Sequence, residues 1–455
     1  MNIIILILFS IFQKISLEKN IRLAINLYKH GVSSPKNLTK ENKDIFGENW
    51  ENKDELTAVG LRQEYLIGYI NYIRYIKKLS FLNENYDPRE TLFYSINSNK
   101  SIVSSYAQSQ GFFYPNTGLI LTEKQKENGV PPINDSFYIE EKKKLDVNAL
   151  PEKINIAPTV VLYENDFLIN ALDNNLCEGR KKYLNKWSEN MNNQKKKIND
   201  KYSKIISDLL NEKQETLFND YLKSKNIFDT ILSEYYDGKN MEKFKKNGTN
   251  ETELIKDILD FYQFDYENEN NDNVENTIGP FIRWIISLCD SRIKKDKEGK
   301  EIELDYKLPK FIGISLDDTI IKPFQFIMKM VFNASIEYAD FGSYLNLDLY
   351  NINHNTGSKI KDEDYLFEYN FNGNYKLSIP YPDFKKKLNE KIKSDDNVKK
   401  YCNFKDSSKR PFYKDIYCIL SIVLTIFFII LGFLLIKKRK GEKIKAGELE
   451  PILEM

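Results

Sequence analysis

Only two histidines occur in the 455 residues, so any imidazole chemistry must run through His30 or His354. His30 stands in the stretch LYKHGVSSP, where an alternating run of Leu23, Ile25 and Leu27 ends just before Lys29. Period-two alternation predicts a strand. A histidine just beyond the carboxyl end of a strand is where an open α/β sheet presents groups to a ligand. An imidazole there can act as nucleophile or base, and Gly31 can let the backbone turn sharply beside the ligand. The same residue can equally be structural, with its ring nitrogens satisfied by backbone groups. His354, in the polar stretch NINHNTG, reads as loop and is assigned no role. The four cysteines are far apart, with no CxxC pair. With so few histidines, this argues against a protein-ligated zinc site, and neither metal nor cofactor is expected.

The elements that would position His30 follow from periodicity. Leu56 to Tyr75 reads as a helix with Thr57 as its N-cap. Thr91–Ser95, Thr159–Tyr163, Lys310–Ser315 and Tyr344–Tyr350 read as further strands. Residues 178–263 mix Lys, Glu and Asn with Leu, Ile, Tyr and Phe and hold hardly any Gly or Pro, as in a helical block. Strands alternating with helices around such a block predict an α/β fold: a mixed central sheet flanked by helices, carrying an inserted α-helical domain.

The chain ends suggest its location. The opening run MNIIILILFSIFQ has the length of a signal-peptide core without a basic leader, so residues 1–17 are expected to be removed. Residues 416–436 carry no charge and run into Lys437, Lys438, Arg439 and Lys440, as a transmembrane helix with its cytosolic anchor would. The expected organisation is a type I membrane protein with an ectodomain at 18–412 and a tail at 437–455. Within the ectodomain, an α/β core covers about 18–135 and 280–405, and a helical lobe covers about 136–279. The near-zero net charge of +1 offers no electrostatic case for nucleic acid. Asn37, Asn99, Asn134, Asn247, Asn250 and Asn333 each begin an N-glycosylation sequon, as suits an exported chain. In the tail, Glu448 before Ile452-Leu453 has the form of an acidic dileucine signal, which leaves delivery to lysosome or endosome open beside the cell surface.

Several segments together resemble the histidine acid phosphatases, a branch of the histidine phosphatase superfamily. That family ends its first strand in Arg-His-Gly-x-Arg-x-Pro, where this chain has Lys29, His30, Gly31, Val32, Ser33, Ser34 and Pro35. ELTAVGLRQEYLIGYINYIRY (Glu55–Tyr75) resembles the family's Leu-Thr-x-x-Gly-x-x-Gln helix. LFYSINSNKSIVSSYAQSQGFFYP (Leu92–Pro115) resembles its Arg-Ser-Thr-Asp-x-x-Arg-Thr strand and helix. FDTILSEYYDGK (Phe228–Lys239), FIGISLDDTI (Phe311–Ile320) and EYADFGSYLNLDLYN (Glu337–Asn351) resemble a segment of its α domain, its His-Asp strand and the strand that follows. Order and spacing match over nearly the whole ectodomain.

The resemblance implies a mechanism and its residues. The family's histidine attacks a phosphate monoester to form a phosphohistidine, arginines hold the phosphate, and the aspartate of the His-Asp pair protonates the leaving oxygen. By position His30 is the nucleophile and Asp317 the acid, with Lys29, Ser33, Tyr94 and Lys100 in the slots of phosphate-binding arginines. Leu316 replaces the family's second histidine. If each lost phosphate donor costs about 3 kcal/mol in the transition state, such losses remove several powers of ten in rate. The expectation is a pseudophosphatase, weak or inactive, whose cleft serves as a binding or structural surface; the alternative is an active acid phosphatase of altered specificity. A third reading, an adhesion protein of unrelated fold, needs the matching segments to be coincidental. The resemblance also implies a Cys177–Cys402 disulfide, leaving Cys289 as a buried free thiol, and it allows a homodimer.

Overall fold

The computed structural model describes residues 20–35, 50, 53–113, 116–129, 149–162, 167–173, 176–210, 221–239, 250–293, 309–352 and 361–404. Seven strands form one sheet: β1 (Asn20–Lys29), β2 (Thr91–Ile96), β3 (Thr159–Leu162), β4 (Phe311–Leu316), β5 (Tyr344–Asn351), β6 (Tyr365–Phe371) and β7 (Tyr375–Pro380). Their order is β3-β2-β4-β1-β5-β6-β7. The first four in space run parallel, and β5, β6 and β7 join as an antiparallel extension. β4, FIGISL, is buried at every residue, as a parallel strand covered on both faces must be.

The helices are α1 (Ala58–Asn71), α2 (Asn99–Phe112), α3 (Glu123–Asn128), α4 (Phe167–Asn170), α5 (Glu178–Asn190), α6 (Asn192–Leu210) and α7 (Tyr221–Tyr236). After them come α8 (Glu251–Glu267), α9 (Asn271–Thr277), α10 (Gly279–Ser291), α11 (Asp318–Phe332), α12 (Tyr381–Lys391) and α13 (Asp395–Cys402). Leu23, Ile25 and Leu27 point into a core shared with α10, α11 and α12, whereas Ala24 points to the other face, among Tyr75, Phe93, Phe112 and Phe311. The alternation read in β1 is thus the two-sided burial of a central strand. A separate apolar cluster holds α6, α7 and α8 together through Tyr202, Phe228, Ile231, Leu254 and Phe261.

Thr57 caps α1, accepting a hydrogen bond from Gly60 N at 3.1 Å. The helix then runs into a π-helical turn at Tyr72–Lys78, where Arg74 and Tyr75 both reach the buried carboxylate of Asp348, at 2.5 and 2.7 Å. The hairpin β6–β7 and helices α12 and α13 were not anticipated from periodicity. Cys177 and Cys402 form the disulfide, with Cys402 as the last residue of α13, while Cys289 is buried and free. Asn99, Asn250 and Asn333 are exposed. Asn250 also caps α8, and Asn333 ends α11 in a left-handed conformation. Asn37, Asn134 and Asn247, the leader 1–17, the uncharged run 416–436 and the tail lie outside the described residues. Among the described residues, no helix is long and apolar enough to cross a membrane.

A buried ion network joins the helical block to the core. Lys322 of α11 lies 2.9 Å from Asp265, in the last turn of α8, and 2.9 Å from Glu269, two residues past its end. Burial pushes the Glu269 carboxyl up, but the Lys322 and Arg180 charges outweigh it and bring it down to about 2 from an ordinary 4.5. A carboxyl depressed in the folded state contributes its full stability above the unfolded value and loses it as pH falls through the folded value. Unfolding free energy should therefore decline between about pH 4.5 and pH 2. Urea titrations across that window should show a shallower decline for Glu269→Gln, and equal slopes would remove Glu269 from the acid response.

Candidate active site

A cavity of about 230 Å³ opens beyond the carboxyl ends of β1 and β4, lined by the last residue of β1 and the segment after it, by Asp317 just after β4, by the first turns of α2 and α11, and by α7. The structure brings His30, Lys29, Ser33, Lys100 and Asp317 together on its wall. Tyr94 is not among the lining residues. Its register sets it opposite Ile314, two residues short of Leu316, and alternation turns its ring onto Trp284 at 5.5 Å. Leu316 is fully buried in the core.

His30 Nδ1 lies 2.9 Å from the Gly31 carbonyl, which can only accept, so Nδ1 carries the proton and the neutral ring keeps its Nε2 lone pair. Burial, helped by the Lys100 and Lys29 charges, holds the imidazole well below its ordinary pKa. Gly31 serves packing rather than a turn: its φ is not positive, and a Cβ there would meet the Gly60 carbonyl oxygen at 2.5 Å. The segment after it is pinned to the start of α1, with Thr57 N donating to Val32 O at 2.9 Å and Val32 N donating to Gln63 Oε1 at 2.9 Å.

Asp317 caps α11; its Oδ1 accepts from Thr319 N at 3.0 Å and from the Thr319 hydroxyl. Lys29 is spent inside the protein. Its ammonium donates to the Ala339 carbonyl at 2.9 Å and to the Tyr338 hydroxyl at 3.4 Å, and pairs with Asp318 at 2.9 Å. The rings of Tyr338 and Phe341 stand 4.9 and 5.1 Å from it. Lys100 pairs with Asp54 at 2.7 Å. Lys225 of α7 lies 3.6 Å from Asp318 and 3.7 Å from Asp229. Burial pushes the Asp318 carboxyl up, but Lys29 and Lys225 outweigh it and hold it well below the usual carboxylate range.

Asp318 and Lys225 were missed at the level of sequence. The doubled acid of LDDTI was a visible signal for Asp318. Lys225, one lysine among many in the helical block, had none.

No family model matches the chain. A Caenorhabditis elegans protein whose name designates it an acid phosphatase is 39% identical over 61 residues, which is 13% of this chain and 15% of that protein. The chain therefore spans only a small part of this curated relative. The structure of the phytase from Citrobacter braakii aligns at 11% identity with a TM-score of 0.52, covering 83% of this chain and 99% of that one. A Klebsiella phytase aligns at 12% identity and a TM-score of 0.49, over 83% of this chain and 97% of its own. The chain has the histidine acid phosphatase fold, a mixed α/β sheet with helices on both faces. At such identities the likeness speaks for the fold, and function must be argued from the site.

Proposed function

We propose that this protein is a pseudophosphatase: a membrane-anchored ectodomain of the histidine acid phosphatase fold whose degenerate phosphate site is weak or silent and which serves as a binding or structural surface. The observation that carries this reading is Lys29. An ammonium has three N–H donors, and here they face Asp318, Ala339 O and Tyr338. None remains for a phosphate oxygen. Phosphoryl transfer depends on donors and positive charge placed around the equatorial oxygens. The cavity instead sets Lys29, Lys100 and Lys225 against Asp229, Asp317 and Asp318. Asp54 neutralises Lys100 as well. The uncharged run 416–436 with its basic flank supports single-pass anchorage, with the ectodomain at the cell surface or in a lysosomal or endosomal lumen.

Two observations favour the alternative, an active acid phosphomonoesterase. His30 is neutral with Nε2 available, as a nucleophile requires, and Asp317 Oδ2 has no partner among the described residues. In that case Nε2 attacks phosphorus, the ester oxygen leaves with the proton of Asp317, and water then cleaves the phosphohistidine. The deciding assay is hydrolysis of an aryl phosphate by the full-length protein at acid and neutral pH, beside His30→Ala. Equal background rates are expected. A wild-type rate that the variant abolishes would establish the enzyme.

A further inference from the structure

We infer that Asp318 is an internal counter-anion: its carboxylate sits on the cleft's cations in place of a ligand and sets the cleft to reject phosphate and other oxyanions. The inference rests on the pseudophosphatase reading and names the residue that would enforce it. Asp318 Oδ1 is 2.9 Å from Lys29 Nζ and accepts from the Tyr266 hydroxyl at 3.0 Å, and Oδ2 is 3.6 Å from Lys225 Nζ. A carboxylate between two ammonium groups satisfies the same charges that two oxygens of a bound phosphate would need.

Its position makes it durable. Asp318 is the first residue of α11, directly after the N-cap, where the helix dipole favours an anion. Its side chain is 23% exposed, and that of Lys29 only 5%. A pair this poorly solvated is screened much less by salt than a surface pair. An incoming dianion would meet the fixed Asp318 charge at close range and would have to displace it from Lys29, because the ammonium has no donor to spare. Asp317 and Asp229 add to the repulsion from the same wall.

The test measures binding rather than turnover. Inorganic phosphate and orthovanadate are titrated calorimetrically into full-length wild type, Asp318→Asn, Asp318→Ser and Asp318→Glu. Asp318→Asn and Asp318→Ser should bind at least about tenfold tighter than wild type. Adding Lys29→Met to Asp318→Asn should cancel the gain. Asp318→Glu keeps the charge and should stay at the wild-type level; a gain there would mean that the negative charge itself does not exclude the ligand, and would overturn the inference. So would wild-type affinity in whichever neutral variant melts as a folded protein. Because hydrolysis is assayed separately, a silent wild type with no gain in the variants sinks only the role of Asp318. A wild type that binds phosphate tightly and turns over the aryl ester sinks the pseudophosphatase reading.

Discussion

Replacing Gly60 by alanine should lower the unfolding free energy by about 3 kcal/mol or more, at the upper end of what forcing an extra methyl into a packed interior costs. The added Cβ would stand 2.2 Å from the Val32 carbonyl oxygen, 2.9 Å from Val32 N and 2.7 Å from Leu56 Cδ1. Two of those three atoms are backbone, so no rotamer change can make room. Nor can the helix simply move outward, because Thr57 and Gln63 tie it to Val32. The opposite contact is as tight, since a Cβ on Gly31 would meet Gly60 Cα at 2.6 Å. The two glycines are thus one steric feature seen from both sides. Further along, α1 and α2 touch backbone to backbone in the same way: a Cβ on Gly68 would lie 2.0 Å from Gln108 O, and one on Gly111 1.9 Å from Tyr65 O. Chemical denaturation compares Gly60→Ala with Leu61→Ala, whose side chain is 42% exposed and whose loss should change stability by roughly 0.5 kcal/mol or less. Equal stabilities would mean that α1 does not press on the segment after His30.

This contact also marks where reading the sequence stops. That glycine follows His30, and that another falls three residues after Thr57, is visible in the chain; that they exist for each other is not, because the contact joins residues 29 apart. The central strands and α1 were legible because their signals are local: alternation in β1, the unbroken apolar run of β4, the threonine cap. The hairpin β6–β7 had a local signal too. Asn372-Gly373 take positive φ of 48° and 74° between its strands, the Asn-Gly turn that twisted hairpins favour. It escaped because Tyr365–Phe371 carries too little alternation to read as a strand. Tyr94 shows a different limit. Motif spacing alone set it in an arginine slot, but only the register against β4 fixes how far along the sheet a residue lies. The pairing of Lys29 with Asp318 spans nearly the whole core, so the sequence offers both charges without saying that they cancel.

Breaking the Cys177–Cys402 disulfide should cost roughly 4 kcal/mol, since it closes a loop across a sequence separation of 225 residues and long loops lose the most unfolded-state entropy on cross-linking. The bond joins the residue before α5 to the last residue of α13, both buried. Nearby packing is tight, since Gly179 faces Tyr401 so closely that a Cβ would come within 2.5 Å of its ring. Asn403 Nδ2 also donates to Glu178 at 2.7 Å. These contacts should hold α5 on α13 without the cross-link, so the loss should appear mainly as a lower unfolding midpoint, with the native fold retained. Cys177→Ala, Cys402→Ala and the double variant remove the same bond. Their stabilities should therefore coincide to within about 0.5 kcal/mol rather than add. Two additive losses would show that each cysteine contributes through its own packing and that the cross-link itself contributes little. Thiol alkylation of the native, unreduced protein gives the complementary reading. Cys177 and Cys402 should resist it because they are bonded, and Cys289 should resist it through burial, its thiol pushed up out of the reactive range. Denaturation without reductant should then expose one reactive thiol among these three, and denaturation with reductant all of them.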